Sequence, residues 1–433
     1  MERSDVEEPG VGDHEILLRP LTRSGRAYYF FIGALTAVVL WGVYAWYIQL
    51  THGLIVTGLR DYVFWGVYIT NFVFFIGIAH VGALVSGILR VTKAEWGRPI
   101  MRMAEVITIS SLPFAALMPL IDLGRFDRIL NVVFYGRLES PVVWDFIAIS
   151  TYMVGSSIFL YVPLIPDIAV CRDRLTEVSG WRRRIYKIFA LGWVSDEHQW
   201  RLIKKATMAM AITIIGVVFI VHTVVSWIFG MTLRVGWNST IFGPYFVMGA
   251  ILSGVAVLII AMWSVRRVYH FEAYLRPVHF KLLGWLLFAL DMGYLYFTVN
   301  EYLTVSYKLE VAERGLINSL FFGEYLVPFW FAIVVGLIIP ALIVVVPKTR
   351  SIPGILIASM MVFLGLWIKR YVIIVPTLTN PYLPASAYYM PTWIEWSITA
   401  GAFAGFVLLF TLFSKYFPIV SVWEVSEGES GGE

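Results

Sequence analysis

The sequence has little charge and almost no cysteine. Lys, Arg, Asp and Glu make up 14% of its 433 residues, and 59% of the residues are hydrophobic, whereas an ordinary soluble domain is about 25% charged. This balance predicts a polytopic membrane protein. The single cysteine, Cys171, excludes an intrachain disulfide and is too little for a cysteine-ligated iron–sulfur cluster or a thiolate zinc site built by this chain alone. Any redox metal is therefore expected in a partner.

Long apolar runs dominate the rest of the chain. No removable signal peptide is evident, because the first 28 residues are polar and the first apolar run, 29–50, is longer than a signal h-region. We predict an all-α integral membrane protein with about ten transmembrane helices, each formed by an apolar run long enough to cross a bilayer. The predicted spans are 28–50, 62–89, 99–122, 140–170, 205–230, 243–265, 279–305, 320–346, 352–376 and 393–415.

The distribution of basic residues predicts the orientation of these spans. Most of the 33 Lys and Arg residues fall in segments that share one side of the membrane if the N-terminus is cytoplasmic. The positive-inside rule then places both termini in the cytoplasm, in the inner membrane of a prokaryotic cell. The basic, tryptophan-flanked stretch WRRRIYKIFALGW in the loop 171–204 is typical of a helix on the inner membrane surface, with a partner site as the alternative.

Spans two to five and spans six to nine have similar loop spacing, and Ser86-Gly87 in the second span resembles Ser253-Gly254 in the sixth. We read this as a duplication that produces two four-helix bundles with two flanking helices. The predicted segments are a cytoplasmic segment 1–27, a flanking helix and loop 28–61, a first bundle 62–230, a second bundle 231–376, an outer loop and flanking helix 377–415, and a cytoplasmic tail 416–433. The prolines of 376–391 predict a rigid, non-helical loop, and the acidic residues after Trp423 predict disorder.

Ionisable side chains are rare inside the predicted spans. The apolar run 65–89 contains a single ionisable group, His80. An isolated charge at mid-membrane costs about 2.5 to 3.5 kcal/mol, so such groups usually face a bundle interior, a cavity or a ligand. The others are Asp145 and His222 in the outer halves of spans four and five, Asp291 near the middle of span seven, Glu105 toward the inner side of span three, and Glu301, Glu324, Arg370 and Glu395 toward outer ends.

Three kinds of site fit these residues. His80 and His222 would suit a bis-histidine haem b only if they lay at one depth, and their predicted depths differ. A quinone is the better ligand, because its ring packs on aromatic walls and its two oxygens need donors, acceptors and a proton route, which His, Asp and Tyr supply. A proton-coupled transporter is a third class. The purely structural alternatives are a helix–helix hydrogen bond for His80 and another for Asp291.

Several ordered motifs then resemble one family. They are FFIGIAHVGALVSGILR, SPVVWDFIAISTY with LIPDIAVCRDR, VHTVVSWIFG with GWNSTIFGPYFVMGAILSG, and DMGYLYFTVNEYLT. Over about 30–415 the chain resembles the NrfD/PsrC-type quinone-interacting membrane subunits, and in appearance the ten-helix subunits of alternative complex III. A molybdoenzyme or sulfur-respiring assembly stays open. The resemblance implies two four-helix bundles, no haem or iron–sulfur cluster in this chain, and a quinol pocket near the extracytoplasmic face.

The resemblance also implies roles for residues and partners. It places the quinol pocket at His80, Trp144 and Asp145, with Tyr152 and His222 beside it and menaquinol as the expected quinol. A proton route through Asp291, Tyr294 and Glu301 is expected, and Glu105 hints at proton uptake unless it pairs with Arg102 or Arg98. The expected partners are a ferredoxin-like iron–sulfur subunit docked on the outer loops 122–139 and 377–392, a related NrfD-like chain, a multihaem cytochrome c and lipid, with no metal or nucleic acid bound by this chain.

Overall fold

The computed structural model describes residues 11–22, 24–175, 178–381 and 387–430. Within this part of the chain ten helices are long and apolar enough to cross a membrane. The prediction of an all-α membrane protein with about ten spans is confirmed. We number them α1 Arg26–His52, α2 Val67–Val91, α3 Glu95–Asp122, α4 Pro141–Arg174, α5 Glu197–Gly230, α6 Phe242–Tyr269, α7 Pro277–Lys308, α8 Leu326–Val345, α9 Ile352–Thr379 and α10 Trp393–Tyr416.

Helix α2 lies at the centre of the molecule. In its most apolar stretch of 18 residues, 94% of the residues are buried inside the protein, the highest share among the ten spans. It packs against α3 on one side and against α6 and α9 on the other. A small residue allows the approach to α6, where a Cβ on Gly254 would lie 2.6 Å from the Cβ of Val81. The residues around His80 are therefore screened from lipid by neighbouring helices.

The remaining spans pack in two sets around α2 and α6. Helices α3, α4 and α5 follow α2 in sequence and pack on one another, and α7, α8 and α9 do the same beside α6. Helices α1 and α10 pair separately, with the backbones of Gly42 and Gly401 in close contact. The division into bundles at 62–230 and 231–376 stays a prediction, although this packing is compatible with it.

Several predicted boundaries differ from the structure. Helix α5 begins eight residues earlier than expected, at Glu197, and α9 continues through Pro376 to Thr379. The tail after Trp423 was expected to be disordered, but Val422–Ser430 is helical and Glu424 is buried. The disorder prediction is wrong because these residues contact the span ends, as described below. Residues 1–10, 382–386 and 431–433 of the predicted terminal segments and outer loop lie outside the described residues.

Shorter helices lie between the spans and at both ends. The basic stretch of the long loop forms helix Gly180–Phe189, which packs against α4. The end of the molecule that carries this helix is called the basic end here, and the other the opposite end. The remaining described helices of five or more residues are Val11–Thr22, Leu130–Phe134, Val311–Phe321 and Val422–Ser430.

Candidate functional site

His80 lies where α2 departs from regular α-helical geometry. A π-helical turn, Gly82–Ser86, follows it directly. The hydroxyl of Thr108 on α3 donates to the Ala79 carbonyl at 2.5 Å and accepts from the Gly82 N–H at 3.1 Å. A side chain that takes up backbone groups in this way interrupts the i→i−4 ladder, and π-turns of this kind are frequent at functional sites.

The two ring nitrogens of His80 differ in their hydrogen bonding. Its Nδ1 lies 2.5 Å from the carbonyl oxygen of Ile76. Because a carbonyl only accepts, Nδ1 carries the proton, which leaves Nε2 as an acceptor in the neutral ring. Nε2 is buried and forms no hydrogen bond of regular geometry among the described residues, although the Val218 backbone of α5 also lies beside the ring. The tautomer that the backbone selects is therefore the one that can take a proton from a ligand.

Two further predicted residues meet His80 in the protein interior. The ring of His222 on α5 lies 4.5 Å from the His80 ring, centroid to centroid, at 71°. The ring of Tyr152 on α4 lies 5.2 Å from it, and the Tyr152 hydroxyl donates to the Ala79 carbonyl at 2.7 Å. Both ring nitrogens of His222 are buried without a partner. All three side chains are 0% exposed.

This contact corrects the expectation that the two histidines differ in depth. His80 is 13 residues, about 20 Å, from the opposite end of α2, and His222 is eight residues, about 12 Å, from that end of α5. The rings nevertheless meet, because the helix ends are not level. The edge-to-face contact leaves no gap between the imidazoles for a porphyrin plane, so the pair does not fit a bis-histidine haem in this arrangement.

Asp145 and Trp144 lie nearer the opposite end of α4. Asp145 is seven residues, about 10 Å along the helix, before Tyr152 and shares its buried face through Ile149. Its Oδ1 is buried without a partner. Trp144 is half-buried, and its Nε1 donates to the Leu138 carbonyl while its ring contacts Trp227. The structure thus groups His80, Tyr152 and His222, and places Asp145 about 10 Å along α4 from Tyr152.

The second set of helices contains the predicted stripe on α7. Asp291, Tyr294 and Thr298 are buried on one face of the helix. Tyr294 stacks on Tyr245 of α6 at 4.7 Å, and the Tyr245 hydroxyl lies 2.9 Å from that of Thr298. Asp291 Oδ1 is buried without a partner among the described residues. The contacts join Tyr294, Tyr245 and Thr298, and Asp291 lies one turn before Tyr294 on the same buried face.

The polar stripe on α7 leads to a small cavity, which lies near the opposite end of the molecule. Glu301 lines it, together with Tyr245 and Tyr302, and the cavity has a volume of about 30 Å³. A volume of that size holds about one water molecule. Glu301 accepts a hydrogen bond from Ser239 at 2.8 Å. Tyr296, which points away from the stripe, is 65% exposed.

Two buried cations on α9 extend this polar region, and sequence reasoning missed one of them. Lys369 is 1% exposed and donates to the Tyr302 hydroxyl at 2.9 Å. Arg370 donates to the Gly249 carbonyl at 2.9 Å and to the Ser253 hydroxyl at 3.2 Å. A Cβ on Gly77 would be 3.1 Å from its Nη2, so Arg370 lies one turn from His80 on α2. The signal was present in the sequence, since Lys369 and Arg370 interrupt an apolar run.

At the basic end, Glu105 has a different partner from the expected ones. It pairs with Arg90, Nη2 to Oε1 2.9 Å, and accepts from Ser86 at 2.5 Å. Arg90 also pairs with Glu424 of the C-terminal helix. Arg102, one of the two expected partners of Glu105, instead pairs with Asp167 at 2.9 Å, where both side chains are 0% exposed. Glu105 is therefore part of a buried ion cluster.

Comparison with known proteins agrees with this architecture. The family model described as "Polysulphide reductase, NrfD" matches residues 55–381. A protein of Halobacterium salinarum, provisionally named as a membrane subunit of dimethyl sulfoxide reductase, is 27% identical over 74% of this chain and 70% of its own length.

The names of two other relatives refer to menaquinone or menaquinol. The Hdr-like menaquinol oxidoreductase integral membrane subunit of Archaeoglobus fulgidus is 25% identical over 92% of this chain and 95% of its own. The menaquinone reductase integral membrane subunit of Nitratidesulfovibrio vulgaris is 25% identical over 88% of each chain. With ten apolar spans and a family match over most of its length, the chain is a multi-pass integral membrane protein of the NrfD polysulphide reductase family.

Proposed function

We propose that this chain is the quinol-binding membrane subunit of a respiratory or photosynthetic electron-transfer complex. The observation that carries the proposal is the group of unpartnered polar atoms at His80, His222 and Asp145. Buried polar atoms without partners are exceptional in native proteins and mark places where water or a ligand binds. The menaquinone names of two relatives support a quinone as that ligand.

The two proposed catalytic residues are connected through one face of α4. Tyr152 contacts the His80 ring, and Asp145 lies seven residues before Tyr152, about 10 Å along the same buried face. His80 Nε2 and the Asp145 carboxylate would each accept a proton from one hydroxyl, while Trp144, Tyr152 and His222 line the pocket.

Oxidation of the quinol releases two protons and two electrons. The protons pass to His80 and Asp145, and the electrons pass to an iron–sulfur cluster of a partner subunit, since this chain has one cysteine and so cannot ligate a cluster by itself. In a quinone-reducing complex the same groups return the protons. Asp291, Tyr294 and Glu301 form a proton route in the second bundle. Glu105 is the proposed group on the basic, cytoplasmic side, where proton uptake would have to proceed from its ion pair with Arg90.

Quinone binding is the direct test of this function. The purified chain is titrated with a water-soluble naphthoquinone, and binding is followed by quenching of tryptophan fluorescence. One saturable site per chain is expected. Failure to saturate, or an optical spectrum with stoichiometric haem b in the purified chain, would contradict the proposal in favour of a transporter or a cytochrome anchor.

The iron–sulfur subunit is proposed to dock at the opposite, extracytoplasmic end. The segment 122–139 supports this, because its apolar side chains Leu130, Phe134 and Tyr135 are 60%, 72% and 80% exposed. Arg125 hydrogen-bonds Asp127 and lowers the pKa of that carboxyl, but both groups are exposed and the pair adds little stability. Cross-links from this segment and from 387–392 to the iron–sulfur subunit are expected. Cross-links confined to Gly180–Phe189 would reverse the docking side.

Asp291 is expected to act in proton transfer and not in binding. The substitution Asp291→Asn keeps the shape of the buried stripe but removes its acid, so quinol turnover should fall about tenfold or more while the Kd for the naphthoquinone stays unchanged. Asp173→Asn, at an exposed acid in the last turn of α4 and away from the stripe, is the matched control and should retain turnover. A weaker naphthoquinone Kd in Asp291→Asn would instead place Asp291 in the pocket.

A further inference from the structure

A deep apolar cleft opens at the basic end, far from the proposed quinol pocket. Its volume is about 420 Å³, which is within the range of ligand-binding pockets. Three elements form its walls, namely α3 near Ser110, helix Gly180–Phe189, and the last two turns of α10 with Phe417. Most of the lining side chains are apolar, for example Ile109, Leu412 and Phe413.

The cleft extends over part of one leaflet of a bilayer. Its lining residues run from Leu409 to Tyr416 on α10, about 10 Å, and from Val106 to Ser110 on α3, about 6 Å. Half of a hydrocarbon core is about 15 Å. The cleft therefore accommodates the part of a hydrocarbon chain that lies nearest the basic-end interface.

A cation without a carboxylate partner lies at the mouth of the cleft. The Arg182 guanidinium donates to the carbonyls of Leu21 at 3.0 Å and Lys415 at 3.2 Å, and to the Tyr186 hydroxyl at 2.7 Å. All three acceptors are neutral, and within the described chain no ion pair involves this side chain. Its Nε is buried with no hydrogen-bond partner.

Aromatic rings frame the same position. The Trp181 ring lies 5.5 Å from that of Tyr416, and the Arg182 guanidinium carbon lies 5.2 Å from the Tyr416 centroid. Tryptophan and tyrosine are enriched where a membrane protein meets the headgroup region. A positive charge whose hydrogen-bond acceptors are all neutral, beside an apolar cleft, matches a phosphate joined to an acyl chain.

We propose that this cleft binds one anionic glycerophospholipid, with an acyl chain between α3 and α10 and the phosphate at the rim beside Arg182. Helix Gly180–Phe189, α3 and α10 enclose the cleft but are separated there by open space. A bound lipid would fill that space and contact all three helices. The charge of Arg182 favours a headgroup with net negative charge over a zwitterionic one. This site is independent of quinol chemistry, because its lining residues do not include those of the proposed pocket.

Native mass spectrometry of the full chain with added phosphatidylglycerol or phosphatidylcholine tests the proposal. One phosphatidylglycerol per chain is expected to be retained in preference to phosphatidylcholine. Arg182→Gln should weaken retention of phosphatidylglycerol by about tenfold or more, since it removes a charge-assisted hydrogen bond. Arg184→Gln is the matched control, because it removes the same charge from the same helix outside the cleft.

A second variant addresses the acyl chain. Leu412→Trp narrows the cleft, and it should weaken retention of both lipids while the chain still elutes as a single species. The ratio of the two lipids is the readout that general loss of structure would not change. Equal retention of both lipids by the unaltered chain, equal effects of Arg182→Gln and Arg184→Gln, or retention of a quinone in the cleft would each overturn the proposal.

Discussion

Replacing His80 with Asn is expected to reduce quinol oxidation by the assembled complex about 100-fold or more. The Asn side-chain amide can still donate to the Ile76 carbonyl, as His80 Nδ1 does, but it has no counterpart of the Nε2 acceptor. Loss of a general base typically costs a factor of about 10² to 10⁴ in rate. His80→Ala and Asp145→Asn should have effects of the same order, because each removes one proton acceptor.

The measurement is steady-state quinol oxidation by the complex, with the partner subunits quantified in the same preparation. His198→Ala is the matched control, since it removes an exposed histidine near the start of α5 and should leave the rate unchanged. Full activity in a variant that carries both His80→Ala and Asp145→Asn would move the pocket elsewhere. An unassembled variant is recognised by missing partner subunits and is replaced by His80→Asn, which preserves the backbone contact.

The positions of the membrane spans could be predicted because a segment that crosses the hydrocarbon core must be apolar along most of its length. Nine of the ten spans begin within about six residues of the predicted positions. The exception is α5, which begins at Glu197 because its first two turns extend beyond the apolar run and contain charged residues such as Glu197 and Arg201. Hydropathy cannot detect a helix that continues out of the membrane, since the polar turns resemble a loop.

Depth was harder to predict than span position. The sequence gives distance along each helix, but the stagger between helices depends on how their side chains pack. The contact between His80 and His222 therefore emerged only from the structure. The same limit applies to Arg370, whose sequence position indicates an outer end but whose guanidinium contacts Gly249 on α6 and lies beside Gly77 on α2.

Long-range ion pairs at the basic end were not predictable for a related reason. A short acidic segment after Trp423 has the composition of a disordered tail. Its order depends on acceptors and cations far away in sequence, such as Arg90, 334 residues from Glu424. No local pattern in either segment records that pairing, so composition alone gave the wrong answer for Val422–Ser430.

The pair of Arg102 and Asp167 connects α3, α4 and the C-terminal segment. Asp167 Oδ2 lies 2.9 Å from Arg102 Nη1 and accepts from Ser421 Oγ at 3.2 Å. Its oxygens also accept from the N–H groups of Val422 and Trp423, at 3.2 Å and 3.1 Å. Asp167 therefore neutralises Arg102 and at the same time satisfies the free N–H groups that begin the last helix.

Removing only one member of this pair is expected to destabilise the protein strongly. Arg102→Met leaves the Asp167 carboxylate buried without its cation, and breaking a buried pair in this way costs about 3 to 5 kcal/mol. The thermal unfolding midpoint in detergent, followed by tryptophan fluorescence, should fall clearly, and the segment 418–430 should become sensitive to protease. Arg125→Met, which breaks an exposed pair at the opposite end, is the control and should leave both readouts unchanged.

The double variant Arg102→Met/Asp167→Leu separates charge from packing. It removes both charges, so no uncompensated ion remains in the interior and part of the lost stability should return. The N–H groups of Val422 and Trp423 lose their acceptor in the same variant, so protease sensitivity of the C-terminal segment should persist even when the unfolding midpoint recovers. If Arg102→Met unfolds at the same temperature as the unaltered chain, the pair does not stabilise the basic end, and the order of Val422–Ser430 must depend on Arg90 and Glu424 instead.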